Sequence, residues 1–465
     1  MSKRYFGTDG IRGEFGKEPL TNNFFILLGA AIAKSLLKPK ESKKRVIFGC
    51  DTRESCEKII RLISLGMSNE GCELSNAGIV PTPAIAFYTK KNNYDLGIVI
   101  SASHNLYQDN GIKIFNKDGY KINHEDENYI ENYIEKLSTQ NYTCKDNNYE
   151  PTDISNEVKN EYINSCLGTL NTKNNHKMKL TLDLANGANY IIAKNTFEKA
   201  GYKITSYNDN PNGKNINDKC GSTYLENLPA QINKDGSSYG ISMDGDGDRI
   251  AIIDKNNNIY DGDDILYTII RGKKINNEEV SGVVGTTMTN FALEDYLINE
   301  GIDFIRSNVG DKFVLQKMKE NNYNIGGETS GHILMLNHST SGDSIVAALQ
   351  FLHYSDILRK KNENKILVKY PQKITNIFFN RNLSDNIINI AIKEASDKFL
   401  SKKLRVIIRK SGTENCIRIM VEAKENKIVD NMSLQIKNYI NDKLKTLWQK
   451  KLSLQIGKIT EVDNS

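Results

Sequence analysis

What most constrains this chain is the alternation of short apolar runs with longer amphipathic stretches along most of its length. Arg45 to Gly49 and Leu96 to Ile100 read as buried strands, and Phe24 to Leu37 and Cys56 to Gly71 read as helices. Gly78-Ile79-Val80 runs into Pro81-Thr82-Pro83, a rigid turn that leads into a further helix. Strand-helix alternation of this kind predicts an α/β domain with a mostly parallel sheet, and its natural extent is residues 1–150, ending in the polar segment Ser138 to Tyr149. The pattern continues in a second block, 151–255, with a helix near Ile154 to Leu170 and strands at Lys179 to Leu184, Lys203 to Ser206, Tyr239 to Met243 and Ile250 to Asp254. A third block, 256–368, carries a strand at Gly282 to Gly285 and a helix from Asn290 to Asn299. The last, 369–448, has a strand at Ile374 to Phe379, a helix from Asn386 to Leu400, a strand-loop-strand around Arg409 to Glu414 and a helix from Asn426 to Trp448, before an exposed tail at 449–465. At 465 residues the chain is too long for one hydrophobic core, so several domains are what its length requires.

Charge narrows the partners. The 62 Lys and Arg residues nearly balance 57 Asp and Glu, and a net +5 is too small to argue for nucleic acid or a membrane surface. The most apolar early segment, Phe24 to Ala33, is too short to span a bilayer and lacks the flanks of a signal peptide, so a cytoplasmic protein is expected. Seven cysteines without a Cys-x-x-Cys pair fit reduced thiols better than a disulfide framework or structural zinc.

Four polar stretches stand out; the first two directly follow predicted strands, and strand ends are where α/β sheets place chemistry. The first is Ser101-Ala102-Ser103-His104-Asn105, directly after Leu96 to Ile100, with Lys113 a little beyond it. It makes Ser103 a candidate nucleophile, against the plainer reading of a polar turn. The second is Asp244-Gly245-Asp246-Gly247-Asp248-Arg249. Aspartates at alternate positions of an extended segment project to one side, and converging carboxylates suit a hard cation such as Mg²⁺. A calcium-binding EF-hand would need glycine at its sixth position and glutamate at its twelfth, where this chain has Arg249 and Lys255. Third is Gly326-Gly327-Glu328-Thr329-Ser330-Gly331-His332, where Glu328, Ser330 and His332 alternate and offer groups suited to sugar hydroxyls. The fourth, Arg409 to Thr413 with Arg418 on the following strand, has the inventory of a phosphate cradle: two guanidinium groups, the Ser411 and Thr413 hydroxyls and backbone N–H groups at Gly412. Phe6-Gly7-Thr8-Asp9-Gly10-Ile11-Arg12-Gly13 adds three glycines around a hydroxyl, a carboxylate and a guanidinium. There is no Walker A loop and no Gly-x-Gly-x-x-Gly after a strand, which turns the reading away from nucleotide hydrolysis and dinucleotide redox chemistry.

In this order, the four stretches resemble those of the α-D-phosphohexomutase superfamily, and the resemblance runs from Phe6 to about Trp448. It implies three related α/β domains with mixed sheets plus a smaller C-terminal α+β domain, arranged around a central cleft. It implies an isomerase that moves a phosphoryl group within a phosphorylated amino sugar. Ser103 would be the phosphorylated residue, with Arg12, His104 and Lys113 completing the catalytic set and Lys113 a candidate for proton transfer. One Mg²⁺ would be held by Asp244, Asp246, Asp248 and a phosphoserine oxygen on Ser103. Substrate would be bound by Arg249, Glu328, Ser330 and His332, and its non-reacting phosphate by Arg409, Ser411, Gly412, Thr413 and Arg418. Glucose or mannose phosphates are the alternative substrates, and a silent sugar-phosphate-binding protein is the alternative class. No nucleic acid or membrane partner is expected, and a homodimer is left open. Leu106, Lys312, Thr329 and Asn415-Cys416 depart from the residues usual at those places.

Overall fold

The structure, a computed structural model, describes residues 5–7, 9–37, 44–140, 142–144, 149–170, 178–379, 383–401, 403–411 and 415–462, with side chains through residue 449. By its contacts the chain forms two compact units: residues 1–289 with 301–366, and residues 290–300 with 367–465.

The first unit opens with a hairpin, β1 (Phe6–Gly7) and β2 (Gly10–Glu14), then α1 (Asn22–Leu36), β3 (Lys44–Cys50), α2 (Cys56–Ser68), β4 (Cys72–Ile79), α3 (Thr82–Lys91), β5 (Leu96–Ile100), β6 (Asp109–Asn116), α4 (His124–Thr139), β7 (Thr152–Asp153) and α5 (Ser155–Gly168). A second sheet region follows: β8 (Lys179–Asp183), α6 (Ile192–Lys199), β9 (Lys203–Tyr207), α7 (Leu228–Asp235), β10 (Tyr239–Met243), β11 (Ile250–Asp254) and β12 (Ile259–Tyr260). A third comprises α8 (Gly262–Ile275), β13 (Gly282–Thr286), α9 (Phe291–Asn299, grouped with the second unit), β14 (Asp303–Ser307), α10 (Asp311–Asn321), β15 (Ile325–Gly327), β16 (Ile333–Met335) and α11 (Ser344–Lys360).

These three regions share one plan. Within their sheets run the orders β4-β3-β5-β6, β9-β8-β10-β11 and β14-β13-β15-β16. In each, three parallel strands are followed by a fourth that returns antiparallel. The sheets are therefore mixed, and the first departs from the mostly parallel arrangement its sequence suggests. The reason lies in the stretches on either side of the Ser103 loop. The polar run after it is the buried strand β6, and the glycine-rich N-terminal stretch is a hairpin whose β2 adds to β6, pairing Ile11 with Ile112 and Arg12 with Gly111. The polar groups of β6 are tolerated inside because they find partners there, as Lys113 does below.

Local sequence accounts for the elements. β5 is an unbroken apolar run with all five residues buried, as a strand covered on both faces requires. α4 begins with a capping box, the Asn123 and Asp126 side chains each accepting from the other's backbone N–H, and Asp261 caps α8 in the same manner with Asp264. The core of the first sheet joins Phe25, Leu28 and Ile32 of α1 to Ile59 and Ile63 of α2, Phe48 of β3 and Ile130 of α4.

The second unit holds β17 (Gln372–Phe378), α12 (Asp385–Lys398), β18 (Leu404–Lys410), β19 (Cys416–Ala423) and α13 (Asn426–Val462). Its antiparallel sheet has the order β17-β19-β18, and Ile388 and Ala391 of α12 share a core with Ile417, Ile419 and Val421 of β19 and Ile436 and Ile440 of α13. α13 passes Trp448, where a tail was expected, because the residues that follow are good helix formers with no Pro or Gly before Gly457. Among the described residues no helix is long and apolar enough to cross a membrane.

Candidate active site

The shared plan puts three of the four polar stretches in equivalent places. Ser101 to Gln108 joins β5 to β6, Asp244 to Arg249 joins β10 to β11, and Glu328 to His332 joins β15 to β16; the fourth, from Ser411, follows β18 in the differently built sheet of the second unit. Within the first unit, three of these loops touch.

Ser103 is buried in a left-handed backbone conformation, φ +51°, which costs a residue with a side chain roughly 1–2 kcal/mol. Its N–H donates to Ser101 Oγ at 2.9 Å, and its Oγ donates to Asp244 Oδ2 at 2.6 Å. The metal-type loop comes so close that a Cβ on Gly245 would lie 2.7 Å from the Ser103 carbonyl oxygen, so glycine is required there.

Asp244, Asp246 and Asp248 are all buried, and one carboxylate oxygen from each lies within 4.8 Å of the others. Lys113, on β6, donates to Asp246 Oδ2 at 2.7 Å and to Asp248 Oδ2 at 2.8 Å. The remaining oxygens, Asp246 Oδ1 and Asp248 Oδ1, are buried without a hydrogen-bond donor among the described residues. Burial, then the charges of Asp248 and Asp246, push the Asp244 carboxyl well above its usual range. Burial would do the same to Asp248, but Lys113 and then His332 outweigh it and hold Asp248 well below that range. Three buried carboxylates with two undonated oxygens and one repelled carboxyl fit a hard divalent cation.

The metal-type loop is itself anchored. Thr82 donates its backbone N–H to the Asp246 carbonyl at 2.9 Å and its hydroxyl to Asp246 Oδ2. Ser344, opening α11, donates both its N–H and its hydroxyl to the Gly247 carbonyl, at 3.1 and 2.7 Å. The β15–β16 loop joins through Ile250, whose N–H donates to the Gly331 carbonyl at 3.1 Å. It packs on α8 so closely that a Cβ on Gly262 would meet the Glu328 carbonyl oxygen at 1.9 Å.

His104 of the Ser103 loop lines a cavity of about 380 Å³ together with Tyr5, Asp9, Arg12 and Arg249. Arg12 donates to the Ala102 carbonyl at 2.8 Å and pairs with Asp9, while the buried Nε atoms of Arg12 and Arg249 have no acceptor among the described residues. Burial, together with Arg249 and Arg12, holds His104 below its usual range, favouring the neutral imidazole. Lys121 bridges Asp9 and Asp311 at 2.5 Å each. Burial opposes ionisation of Asp9, yet Lys113, Lys121 and Arg12 outweigh it and keep the carboxylate charged.

The third loop only partly matches its expected alternation. Glu328 is buried with Oε1 accepting from the Gly310 N–H at 2.9 Å, whereas Ser330 is exposed. His332 is buried, with Nδ1 3.7 Å from Asp248 and Nε2 3.6 Å from Asp311, beside the metal-type loop. Thr329 turns to Asp263, its hydroxyl 3.2 Å from both carboxylate oxygens. Leu106 is half exposed, and its carbonyl accepts from the Asp109 N–H at 3.2 Å, closing the Ser103 loop without proline. Lys312 is in the first turn of α10, and Cys416 is buried in β19.

In the second unit Arg409 and Arg418 face each other across β18 and β19. Like charges directly opposite on a sheet repel, so this pairing suits a bound anion. Ser411 is buried, with its N–H donating to the Cys416 carbonyl at 2.9 Å. Gly412 and Thr413 lie outside the described residues.

Sequence reasoning missed several supports. Asp51 and Arg53 form a buried ion pair beneath the Ser103 loop, and their position just after β3 was the available signal. Thr82 stood out only as part of a proline turn. Asn189, which donates Nδ2 to Ser344 Oγ at 3.0 Å, and Asn217 carry no signal in a chain so rich in asparagine.

Four family models match the chain: phosphoglucomutase/phosphomannomutase alpha/beta/alpha domain I over residues 3–141, domain II over 160–258, domain III over 261–372, and the C-terminal domain over 362–438. The chain is 38% identical over 433 residues to a phosphoglucosamine mutase of Neisseria meningitidis serogroup A, covering 91% of this chain and 96% of that protein. It is 41% identical over 448 residues to a phosphoglucosamine mutase of Nitrosococcus oceani, covering 94% and 97%. Among solved structures, a phosphoglucomutase/phosphomannomutase family protein from Burkholderia thailandensis shares the fold with a TM-score of 0.77 at 19% identity, covering 95% of this chain and 98% of that one. An N-acetylphosphoglucosamine mutase from Aspergillus fumigatus does so at 0.58 and 16%, covering 95% and 96%.

Proposed function

The chain belongs to the phosphoglucosamine mutase branch of the α-D-phosphohexomutase superfamily, and from that premise we propose that it interconverts glucosamine 6-phosphate and glucosamine 1-phosphate, a step that supplies amino-sugar nucleotide and cell-wall precursor synthesis. The observation that carries this reading is the Ser103 hydroxyl, 2.6 Å from Asp244 at the edge of the three-aspartate cluster. On this proposal the domains divide near residues 150, 255 and 368, the last carrying the phosphate cradle through 448.

Phosphorylated Ser103 gives its phosphoryl group to the free O1 or O6 of the sugar phosphate: the Ser103 Oγ–P bond breaks, a sugar O–P bond forms, and the sugar hydroxyl loses its proton. The bisphosphate turns end over end, and its other phosphate returns to Ser103 by the reverse chemistry. Asp244, Asp246 and Asp248, with an oxygen of the phosphoserine, would hold Mg²⁺, which when bound neutralises charge on the transferring group. Lys113 keeps Asp246 and Asp248 in place and its charge near the phosphoryl oxygens. Arg12 and Arg249 offer their free Nε–H groups to those oxygens, which is the positioning and charge stabilisation that phosphoryl transfer demands. Asp246 and Asp248 hold Lys113 charged against its burial, which favours neutral His104, lining the same cavity, over Lys113 as the group that takes up the sugar hydroxyl's proton. Glu328 and Ser330 orient the sugar, His332 positions Asp248, and Arg409, Ser411, Gly412, Thr413 and Arg418 bind the phosphate that is not reacting.

Ser103→Ala tests this reading. It is expected to abolish turnover on a panel of glucosamine, glucose and mannose phosphates and to remove the phosphate seen on the intact protein by mass. Normal turnover in that variant would exclude the mechanism, and preference for glucose or mannose phosphates in the wild type would move the substrate assignment.

A further inference from the structure

The carbonyl groups of the Ser103 loop are gripped from two directions. Arg53, on the loop after β3, donates Nη2 to the Asn105 carbonyl at 2.6 Å and to the Ser103 carbonyl at 3.4 Å, and Nη1 to Ser101 Oγ at 3.5 Å. Its side chain is fully buried and fixed by Asp51. From the other side Asn217, on the segment between β9 and α7, donates Nδ2 to the same two carbonyls, each at 2.8 Å. Asn217 is itself buried and left-handed, φ +58°, with its N–H tied to the Ala185 carbonyl at 2.9 Å.

Two residues from separate sheets thus converge on two carbonyl oxygens of one short loop. That loop contains the strained turn at Ser103, and a strained turn persists only where its surroundings over-determine it. The peptide bonds here are trans, so a carbonyl held on one side turns the next N–H to the other. Gripping Ser103 and Asn105 therefore turns the His104 and Leu106 N–H groups away from the grip, and neither N–H has a partner among the described residues.

We propose that Asn217 and Arg53 are positioning residues for phosphoryl transfer, a clamp on the Ser103 and Asn105 carbonyls that keeps the Ser103 hydroxyl aimed at Asp244 and frees the neighbouring backbone N–H groups for the phosphoryl oxygens. The proposal rests on Ser103 being the phosphoryl carrier. Neither residue touches substrate; both act through the loop. A 1 Å misplacement of a reacting group is enough to lose about 100-fold in rate.

The test uses the full chain, charged with a hexose 1,6-bisphosphate and assayed on glucosamine 6-phosphate, in three variants. Asn217→Asp keeps the side-chain shape and tolerates the left-handed backbone while removing the donor; Asn217→Ala removes the contact altogether; Ser103→Ala controls for the carrier role. The expected result for both Asn217 variants is a kcat lower by about 10- to 100-fold with KM within about threefold, the split that marks an interaction made only in the transition state. The phosphoserine ³¹P resonance should shift in the same variants while the thermal midpoint stays near that of the wild type. Wild-type kcat in either folded variant overturns the clamp, as does a loss of activity that only tracks a loss of folded protein with an unmoved ³¹P resonance. Turnover in Ser103→Ala would instead overturn the carrier reading, so the two failures are distinguishable.

Discussion

The loop around Ser103 and the arginine pair of the C-terminal sheet are both assigned to phosphate, yet they are built in opposite ways. Ser103, Lys113 and the three aspartates are buried, and Ser103 and Lys113 are each hydrogen-bonded to the aspartates. Arg409 is exposed, and it stands directly opposite Arg418 in the register of β18 and β19. Fixed dipoles and charges lower a barrier only if they need not reorganise during the reaction, which calls for burial and over-determination. A site that must take a phosphate, release it and take it again after the intermediate has turned is better left open to solvent. The difference teaches that the first region should govern rate and the second affinity.

The largest expected effect breaks the first region. Asp246→Asn removes a carboxylate from both Lys113 and the candidate metal cluster, and kcat should fall on the order of 100-fold or more with little change in KM. Wild-type rates after exhaustive removal of divalent cations would contradict the role given to the cluster. Next, Arg409→Ala should leave the rate of phosphoryl transfer from the charged enzyme nearly unchanged while raising KM about 10-fold or more, the loss of a charge-assisted hydrogen bond being worth roughly 1.5–3 kcal/mol. A collapse of kcat at unchanged KM would erase the distinction between the regions.

The smallest effect is one of stability. Asp343 caps α11 next to the Ser344 anchor of the metal-type loop, and burial pushes its carboxyl up to about 6 despite hydrogen bonds from Val346 and Tyr162. Because the folded state binds this proton more tightly than the unfolded state, stability is lost as pH rises from about 4 through 6. Asp343→Asn keeps the cap without the charge, so the variant should gain on the wild type as pH rises from 5 to 7. The gain in thermal midpoint should be about 2–4 °C, for roughly 1 kcal/mol. A constant difference across that range would show that Asp343 does not titrate there.

The candidate loops were legible because each needs particular residue types in a particular order: alternating aspartates, a serine after a buried strand, arginines about a Ser-Gly-Thr turn. Strand-helix alternation likewise exposed the α/β class. What stayed hidden follows from physical causes. β6 reads as a polar loop because its lysine and asparagine are satisfied by residues far away in the chain, as Lys113 is by Asp246 and Asp248. That His332 lies beside Asp248 and Asp311 is hidden because sequence spacing shows alternation but not which side chains from other loops meet it. Asn217 is invisible because one side-chain amide gripping two carbonyls leaves no pattern in its neighbours. Equivalence of the three loops of the first unit emerges only from the strand order, since the sequences they connect share no motif.

Single turnover with phosphate-charged protein tests the central claim most directly. Mixed with glucosamine 6-phosphate, the wild type should lose one phosphate from Ser103, seen by intact mass, as an equal amount of sugar bisphosphate forms, and Ser103→Ala should neither take up phosphate nor turn over. Turnover without phosphate ever residing on Ser103 would contradict the account.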